Sequence, residues 1–398
     1  MNKETARSSL SRTRVAVFAT ACGITVANLY YAQPMVHTIG QSLAMPDTLS
    51  GLVVTVTQIG YAAGLILLVS LADLMENRRL VILALLANAL ALLAMAVAPA
   101  AALFFLAVFG VGFFSAATQV LVPFAAHLVP EAQRGRVVGN VMGGLLLGIM
   151  LSRPLSTLLA GWFGWQVIFW LSALLMAILA VMLRLLLPAR QPKHNSNYYA
   201  ILGSLWHLFR HTPLLRRRAL WQGLLFAVFN LFWTATPMVL AGPRFQLSAH
   251  EIALFLLAGA AGALAAPIAG RLADKGLTGP ATLAAMLMVA LAFAATFAAW
   301  SWHSVTLFVI AAIVLDAGVQ THQVLSLRAI YTLPAEARGR LNGLFMTSVF
   351  LCGSSGALLA GALFAHWGWP AVAVAGCVIS VLALFSFASR ASWHAEEA

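Results

Sequence analysis

The sequence predicts an all-α polytopic membrane protein, with twelve transmembrane helices in two pseudo-symmetric six-helix bundles. Three observations carry that reading. Of 398 residues 62% are hydrophobic and 9% charged, against roughly 25% charged in a soluble domain, so most side chains cannot face water. Apolar runs of about 20 residues, enough to cross a bilayer, begin near Val15, Ser50, Arg79, Ala102, Val137, Trp165, Ala219, His250, Pro280, Ser304, Leu341 and Pro370. The second half also repeats the first. "NLYYAQPMV" from Asn28 returns as "NLFWTATPMV" from Asn230, and Leu71-Ala72-Asp73 as Leu272-Ala273-Asp274. Gln119-Val120-Leu121 returns as Gln323-Val324-Leu325, Arg134-Gly135-Arg136 as Arg338-Gly339-Arg340, and Gly164-Trp165 as Gly368-Trp369. Six spans per half is an even number, so both copies enter the membrane in the same orientation, a parallel repeat.

Taken in order, residues 1–14 form a cytoplasmic N-terminus, 15–187 the first bundle, 188–218 a cytoplasmic linker, 219–389 the second bundle and 390–398 a cytoplasmic C-terminus. The basic residues set this topology. Lys3, Arg7, Arg12 and Arg14 precede span one; Arg78 and Arg79 follow span two; Arg134 and Arg136 follow span four; Arg190, Lys193, Arg210 and Arg216 to Arg218 fill the linker. Arg271 and Lys275 follow span eight, Arg338 and Arg340 span ten, and Arg390 the last, while the intervening loops hold only Arg244. Basic residues stay on the cytoplasmic side during insertion, so both termini are expected in the cytoplasm. The formal charge of +12 is then topology and does not call for nucleic acid. The linker stretch "YYAILGSLWHLF" is amphipathic and suits the membrane surface.

Ala19-Thr20-Ala21 before Cys22 resembles a signal-peptide cleavage site, but the apolar run continues to Val36, longer than a signal core. Cys22, Cys352 and Cys377 lie within spans without pairing logic, and His194, His207 and His211 lie in the linker, so no disulfide framework, metal site or cofactor is expected.

The spans sort with a period of three. Spans three, six, nine and twelve are bland, as in "VILALLANALALLAMAVA", and an all-round apolar helix suits lipid. Spans two, five, eight and eleven are rich in small residues, as in "GNVMGGLLLG" and "CGSSGALLAG", which let backbones approach closely. Spans one, four, seven and ten carry polar stripes: Asn28 and Tyr31; Ser115 and Gln119; Asn230, Trp233 and Thr234; Asp316, Gln320 and Gln323. Polar groups in hydrocarbon need partners or a wet cavity, so these residues, with Gln33, are expected to line a central aqueous cavity between the halves. Tyr30 and Phe232 are read equally well as cavity wall or as interfacial belt aromatics.

Over all twelve spans the chain resembles the major facilitator superfamily. The loop motif of that family, roughly G-x-L-A-D-R-x-G-R-R, is recognisable in "VSLADLMENRR" and "GRLADK", with Val69 and Glu76 where Gly is usual. "NLYYAQP", "RGRVVGNVMGGLLLGI" and "DAGVQ" are similar to the bacterial sugar-efflux and drug:proton antiporter branch. In span five, "SRPLSTLLAG" has Arg153 in the Gly position that antiporters place before the proline. The resemblance implies a substrate cavity lined by helices one, four, seven and ten. It also implies a cytoplasmic gate in which Asp73 and Asp274 each meet a helix start in the other half, near Arg340 and Arg136, with Arg78 beside them; a solvated loop acid is the alternative.

Two full charges sit well inside spans, Arg153 and Asp316. Counting about 1.5 Å per residue, Arg153 lies roughly 12 Å and Asp316 roughly 18 Å from the outer ends of their helices, so the two are close in depth. Reversible protonation of Asp316, with Arg153 or the solute competing for the carboxylate, would couple protons to transport; a structural ion pair, or an Asp316 bonded to Gln320, is the alternative. The expectation is a secondary transporter working by alternating access, exporting a small neutral or cationic amphipathic or sugar-like solute against protons, as a monomer in the lipid bilayer. Proton-coupled uptake of a polar metabolite is the alternative. An enzyme or receptor is disfavoured, since no catalytic constellation, nucleotide motif or sizeable soluble domain is present.

Overall fold

The computed structural model describes residues 12–189, 191, 197–333 and 337–388. Lys3, Arg7, Arg190, Lys193, His194 and Arg390 lie outside the described residues, as do residues 390–398. Among the described residues all regular structure is helical, and ten helices are long and apolar enough to cross a membrane.

Those ten helices contain eleven of the expected spans. Spans two to six are Leu52–Ser70, Asn77–Val97, the Ala101–Ser115 and Thr118–His127 pair, Glu131–Phe163 and Gln166–Leu186. Spans seven to ten are Pro213–Ala241, the Ala249–Gly259 to Ala265–Asp274 run, Thr278–Ser301 and Val305–Ile330. The last helix, Arg338–Ala388, holds spans eleven and twelve, divided at Gly368 with φ 66° and ψ −163°. Span one is the short helix Arg12–Ala27, followed by turns, a 3-10 turn at Gln33–Met35 and a helix at Val36–Ser42. Pro34 accounts for the break, because its ring clashes with the carbonyl four residues earlier and it donates no hydrogen bond.

Local chemistry sets the helix ends. Pro213 opens span seven at the first turn, where its missing N–H costs nothing; the span therefore takes in Arg216 to Arg218, which the sequence had assigned to the linker. Ser248 and Glu251 form a reciprocal capping box at the start of span eight, and Ser304 Oγ accepts from Leu307 N at 3.2 Å to start span ten. Gly164, with φ 88° and ψ 157°, separates spans five and six as Gly368 separates eleven and twelve. Backbone of this kind is essentially restricted to glycine, and the following tryptophans explain why the pair recurs. Trp165 packs edge-on to Phe104 at 5.9 Å, and Trp369 packs on Phe308 at 5.0 Å.

The chain forms two compact units, one made of residues up to Ala32 with Val56–Gly203, the other of Gln33–Thr55 with residues from Ser204 onward. In the first, span three packs on spans four and six, and span one on span five; in the second, span nine packs on spans ten and twelve, and span seven on span eleven. Spans six and twelve each expose an apolar row at helical spacing, Leu174, Ile178, Val181 and Leu185 in one and Val374, Val378, Val381 and Phe385 in the other. Such a face suits hydrocarbon. In the linker, helix Tyr198–His211 exposes Tyr199 and Trp206, while Tyr198 donates to the Leu67 carbonyl at 3.0 Å.

Candidate functional site

The second unit holds the most concentrated polar chemistry. Asp316 of span ten is 6% exposed, and its Oδ1 accepts from the indole Nε1 of Trp233 in span seven at 2.8 Å. Trp233 is held edge-on by Phe229, Phe232 and Phe255, with centroids 6.3, 5.0 and 6.0 Å away. A carboxylate removed from water is costly unless hydrogen-bonded, and the indole supplies a donor in a fixed direction. On the adjoining turns of span seven, Asn230 Nδ2 donates to the Gly353 carbonyl at 3.2 Å, and Gln33 Nε2 donates to Asn230 Oδ1 at 3.4 Å and to Thr234 Oγ1 at 3.2 Å. Gln33, Asn230, Thr234, Trp233 and Asp316 are thus brought together. Gln320 and Gln323 are half-buried on span ten, and Gln323 Nε2 approaches Met346 Sδ at 3.9 Å.

In the first unit the candidates spread out. Asn28 Oδ1 accepts from Ser172 Oγ of span six at 2.5 Å, and Asn28 Nδ2 approaches Met176 Sδ at 3.6 Å. Tyr31 is buried as well. Ser115 turns to span three, accepting from Asn88 Nδ2 at 2.9 Å, and Gln119 Nε2 donates to the Tyr61 hydroxyl of span two at 3.1 Å. Arg153, 6% exposed, lies with its guanidinium 4.9 Å from the centroid of Tyr30. Tyr30 is itself buried and so is not a belt aromatic; it serves as a cation–π platform.

Of the expected gate residues, Asp73 and Arg136 are exposed. Arg78 pairs with Glu76 at 3.1 Å and donates to the Leu187 carbonyl at 2.9 Å. Asp274 pairs with Arg328, and Arg340 donates to Ser204 Oγ at 3.0 Å.

The structure adds groups the sequence reading passed over. Arg218 is fully buried in span seven, donating to Thr282 Oγ1 at 3.2 Å. One turn further, Gln222 Oε1 lies 2.6 Å from His322 Nδ1 of span ten, both buried. Arg153 and Asp316 are therefore not the only charges inside spans. The i, i+4 spacing of Arg218 and Gln222 was the available signal, hidden because the arginine was counted with its basic neighbours.

The Major Facilitator Superfamily family model matches residues 15–330 and again 224–394. The chain belongs to this superfamily. The "Uncharacterized transporter YgaY" of Escherichia coli O157:H7 is 39% identical over 376 residues, covering 94% of this chain and 95% of its own. The "Probable sugar efflux transporter" of Pasteurella multocida is 27% identical, covering 94% of this chain and 91% of its own. Among solved structures, the nucleoside transporter NupG superposes with a TM-score of 0.74 at 15% identity, covering 94% of this chain and 98% of its own, a likeness of fold. The protein is a multi-pass membrane transporter of this superfamily, not an enzyme.

Proposed function

We propose that this transporter exports a small neutral or cationic, amphipathic or sugar-like solute in exchange for protons, by alternating access, with Asp316 as the proton-carrying group. The observation that carries the reading is the Asp316 carboxylate, buried within span ten and bonded at 2.8 Å to Trp233 Nε1. An ionisable side chain inside a membrane span is costly and marks a candidate functional group, and a carboxylate that accepts from a neutral indole donor can gain and lose a proton. Arg153, the buried cation over Tyr30, is assigned to the same cycle. The half-buried Gln119, Gln320 and Gln323 are assigned to the solute pathway with Tyr31 and Trp233, while Asn28, Gln33, Ser115, Asn230 and Thr234 brace the helices that carry them. Asp73, Arg78, Arg136, Asp274 and Arg340 are assigned to a cytoplasmic gate. The likeness to a relative named for sugar efflux supports export and a sugar-like solute. We further assign residues 15–187 and 219–389 to the two bundles, both termini to the cytoplasm, the inner membrane as location and a monomer as the working form.

The test is a screen of sugars and amphipathic amines in proteoliposomes carrying a pH indicator in the lumen. A solute that moves against its own gradient when a pH gradient is imposed, with the indicator reporting opposite proton flow, supports the proposal. Solute movement indifferent to the pH gradient overturns it.

A further inference from the structure

We propose that Gly259 of span eight is a positioning residue for the Trp233–Asp316 hydrogen bond, made effective by the 3-10 winding that follows it. The proposal rests on the reading of Asp316 given above. Span eight runs as an α-helix over Ala249–Gly259, as a 3-10 helix over Ala260–Leu264, and as an α-helix again over Ala265–Asp274. A 3-10 helix has three residues per turn, so residues three apart lie over one another. Gly259 and Gly262 therefore present bare backbone along one line, and that line faces the pair. A Cβ at Gly259 would stand 2.4 Å from Trp233 Cη2 and 2.9 Å from Cζ2, and one at Gly262 would stand 2.5 Å from Asp316 Cβ and 2.5 Å from the Ile313 carbonyl oxygen. Both are closer than a Cβ can approach without something shifting.

The internal repeat separates general packing from positioning. Gly60 in span two is the counterpart of Gly262, and its Cβ would stand 2.3 Å from the carbonyl oxygen of Phe109, the counterpart of Ile313. Close approach at Gly262 is therefore common to both units. Gly259 is not, since Thr57 stands in its place, span two stays α-helical over Leu52–Ser70, and Gly112 occupies the position of Asp316. The glycine, the 3-10 segment and the carboxylate occur together in one unit. Trp233 has little room to yield, being ringed by Phe229, Phe232 and Phe255. Its Cζ2 is two bonds from Nε1, so a side chain at position 259 displaces the N–H itself.

The test uses the full-length protein in phosphatidylethanolamine–phosphatidylglycerol vesicles, with protons as the probe. Acid-minus-neutral infrared difference spectra give a protonated-carboxyl C=O band assigned to Asp316 by its loss in Asp316→Asn. Gly259→Ala is expected to move that band to higher frequency, toward a more weakly hydrogen-bonded carboxyl, and Trp233→Phe to move it the same way. A band at the wild-type frequency in Gly259→Ala, while Trp233→Phe moves it, overturns the proposal. Thermal unfolding of Gly259→Ala, Trp233→Phe and the double variant gives a second readout, which needs no titration of Asp316. Gly259→Ala is expected to lower the Tm in the wild type and to have little effect in Trp233→Phe, where the smaller ring makes room; additive shifts contradict the proposal. Loss of folding in Gly259→Ala that Trp233→Phe rescues counts as the same support, and loss that it does not rescue counts against. If Asp316 gives no band while the unfolding cycle is non-additive, proton coupling fails and the positioning role stands.

Discussion

At the scale of single residues, the buried arginine in span five makes the clearest demand. Its guanidinium sits 4.9 Å from the centre of the Tyr30 ring, and a desolvated cation–π contact is worth about 2 kcal/mol. Tyr30→Phe keeps the ring face, so Tyr30→Leu should be less stable than Tyr30→Phe by on the order of 2 kcal/mol in chemical unfolding in detergent. Equal stability of the two variants contradicts the contact. Single-residue chemistry was only partly legible in the sequence. The polar stripes could be picked out, because a polar group in an apolar run stands out. Their partners were not readable, because Ser172, Asn88 and Tyr61, which engage Asn28, Ser115 and Gln119, lie on spans whose own pattern is apolar. Periodicity gives a direction around one helix and says nothing of which neighbour stands there.

At the scale of elements, two glycines with positive φ make the turns that separate spans five from six and eleven from twelve. A Cβ at such a φ and ψ costs about 1–3 kcal/mol. Gly368→Ala should therefore destabilise the second unit by about that amount, read as a lower Tm, and Gly164→Ala should do the same in the first. An unchanged Tm in both variants contradicts the backbone assignment. The linker helix offers a pH test. Burial raises the Tyr198 phenol above its ordinary value, and the phenol donates to the Leu67 carbonyl. A group whose folded pKa is raised contributes stability that is complete below the unfolded value, about 10 for tyrosine, and is lost as pH rises through the folded value. Amide hydrogen exchange over residues 198–205 should be faster in Tyr198→Phe at neutral pH, and the difference from wild type should vanish at strongly alkaline pH once intrinsic exchange is normalised. A wild-type pattern in Tyr198→Phe contradicts the tether. The elements themselves were largely legible, since apolar length and glycine or proline punctuation are local properties. Span one was not. "NLYYAQP" and "NLFWTATP" look like matching helical segments, yet the first unwinds at Asn28–Ala32 while the second stays helical through Pro237.

At the scale of the molecule, the repeat explains why each unit has the same internal packing and why they differ chemically. The Phe104–Trp165 contact returns as Phe308–Trp369, and the approach of Gly60 to Phe109 returns as Gly262 to Ile313. On that shared frame the first unit places Gly112 where the second places Asp316, whose carboxylate accepts from the Trp233 indole. The superfamily fold was legible because repeat offset, span count and charge placement are properties of the whole chain. Burial and partners separate two acids that the sequence alone leaves alike: Asp316 is 6% exposed and accepts from an indole donor, whereas Asp274 is exposed and paired with Arg328. The measurement that bears most directly on the central claim compares wild type with Asp316→Asn in proteoliposomes, using a solute identified by the pH-gradient screen. The account predicts that Asp316→Asn keeps downhill exchange of the solute and loses both its accumulation against a gradient and the accompanying proton flow. Undiminished pH-driven accumulation in Asp316→Asn would contradict it.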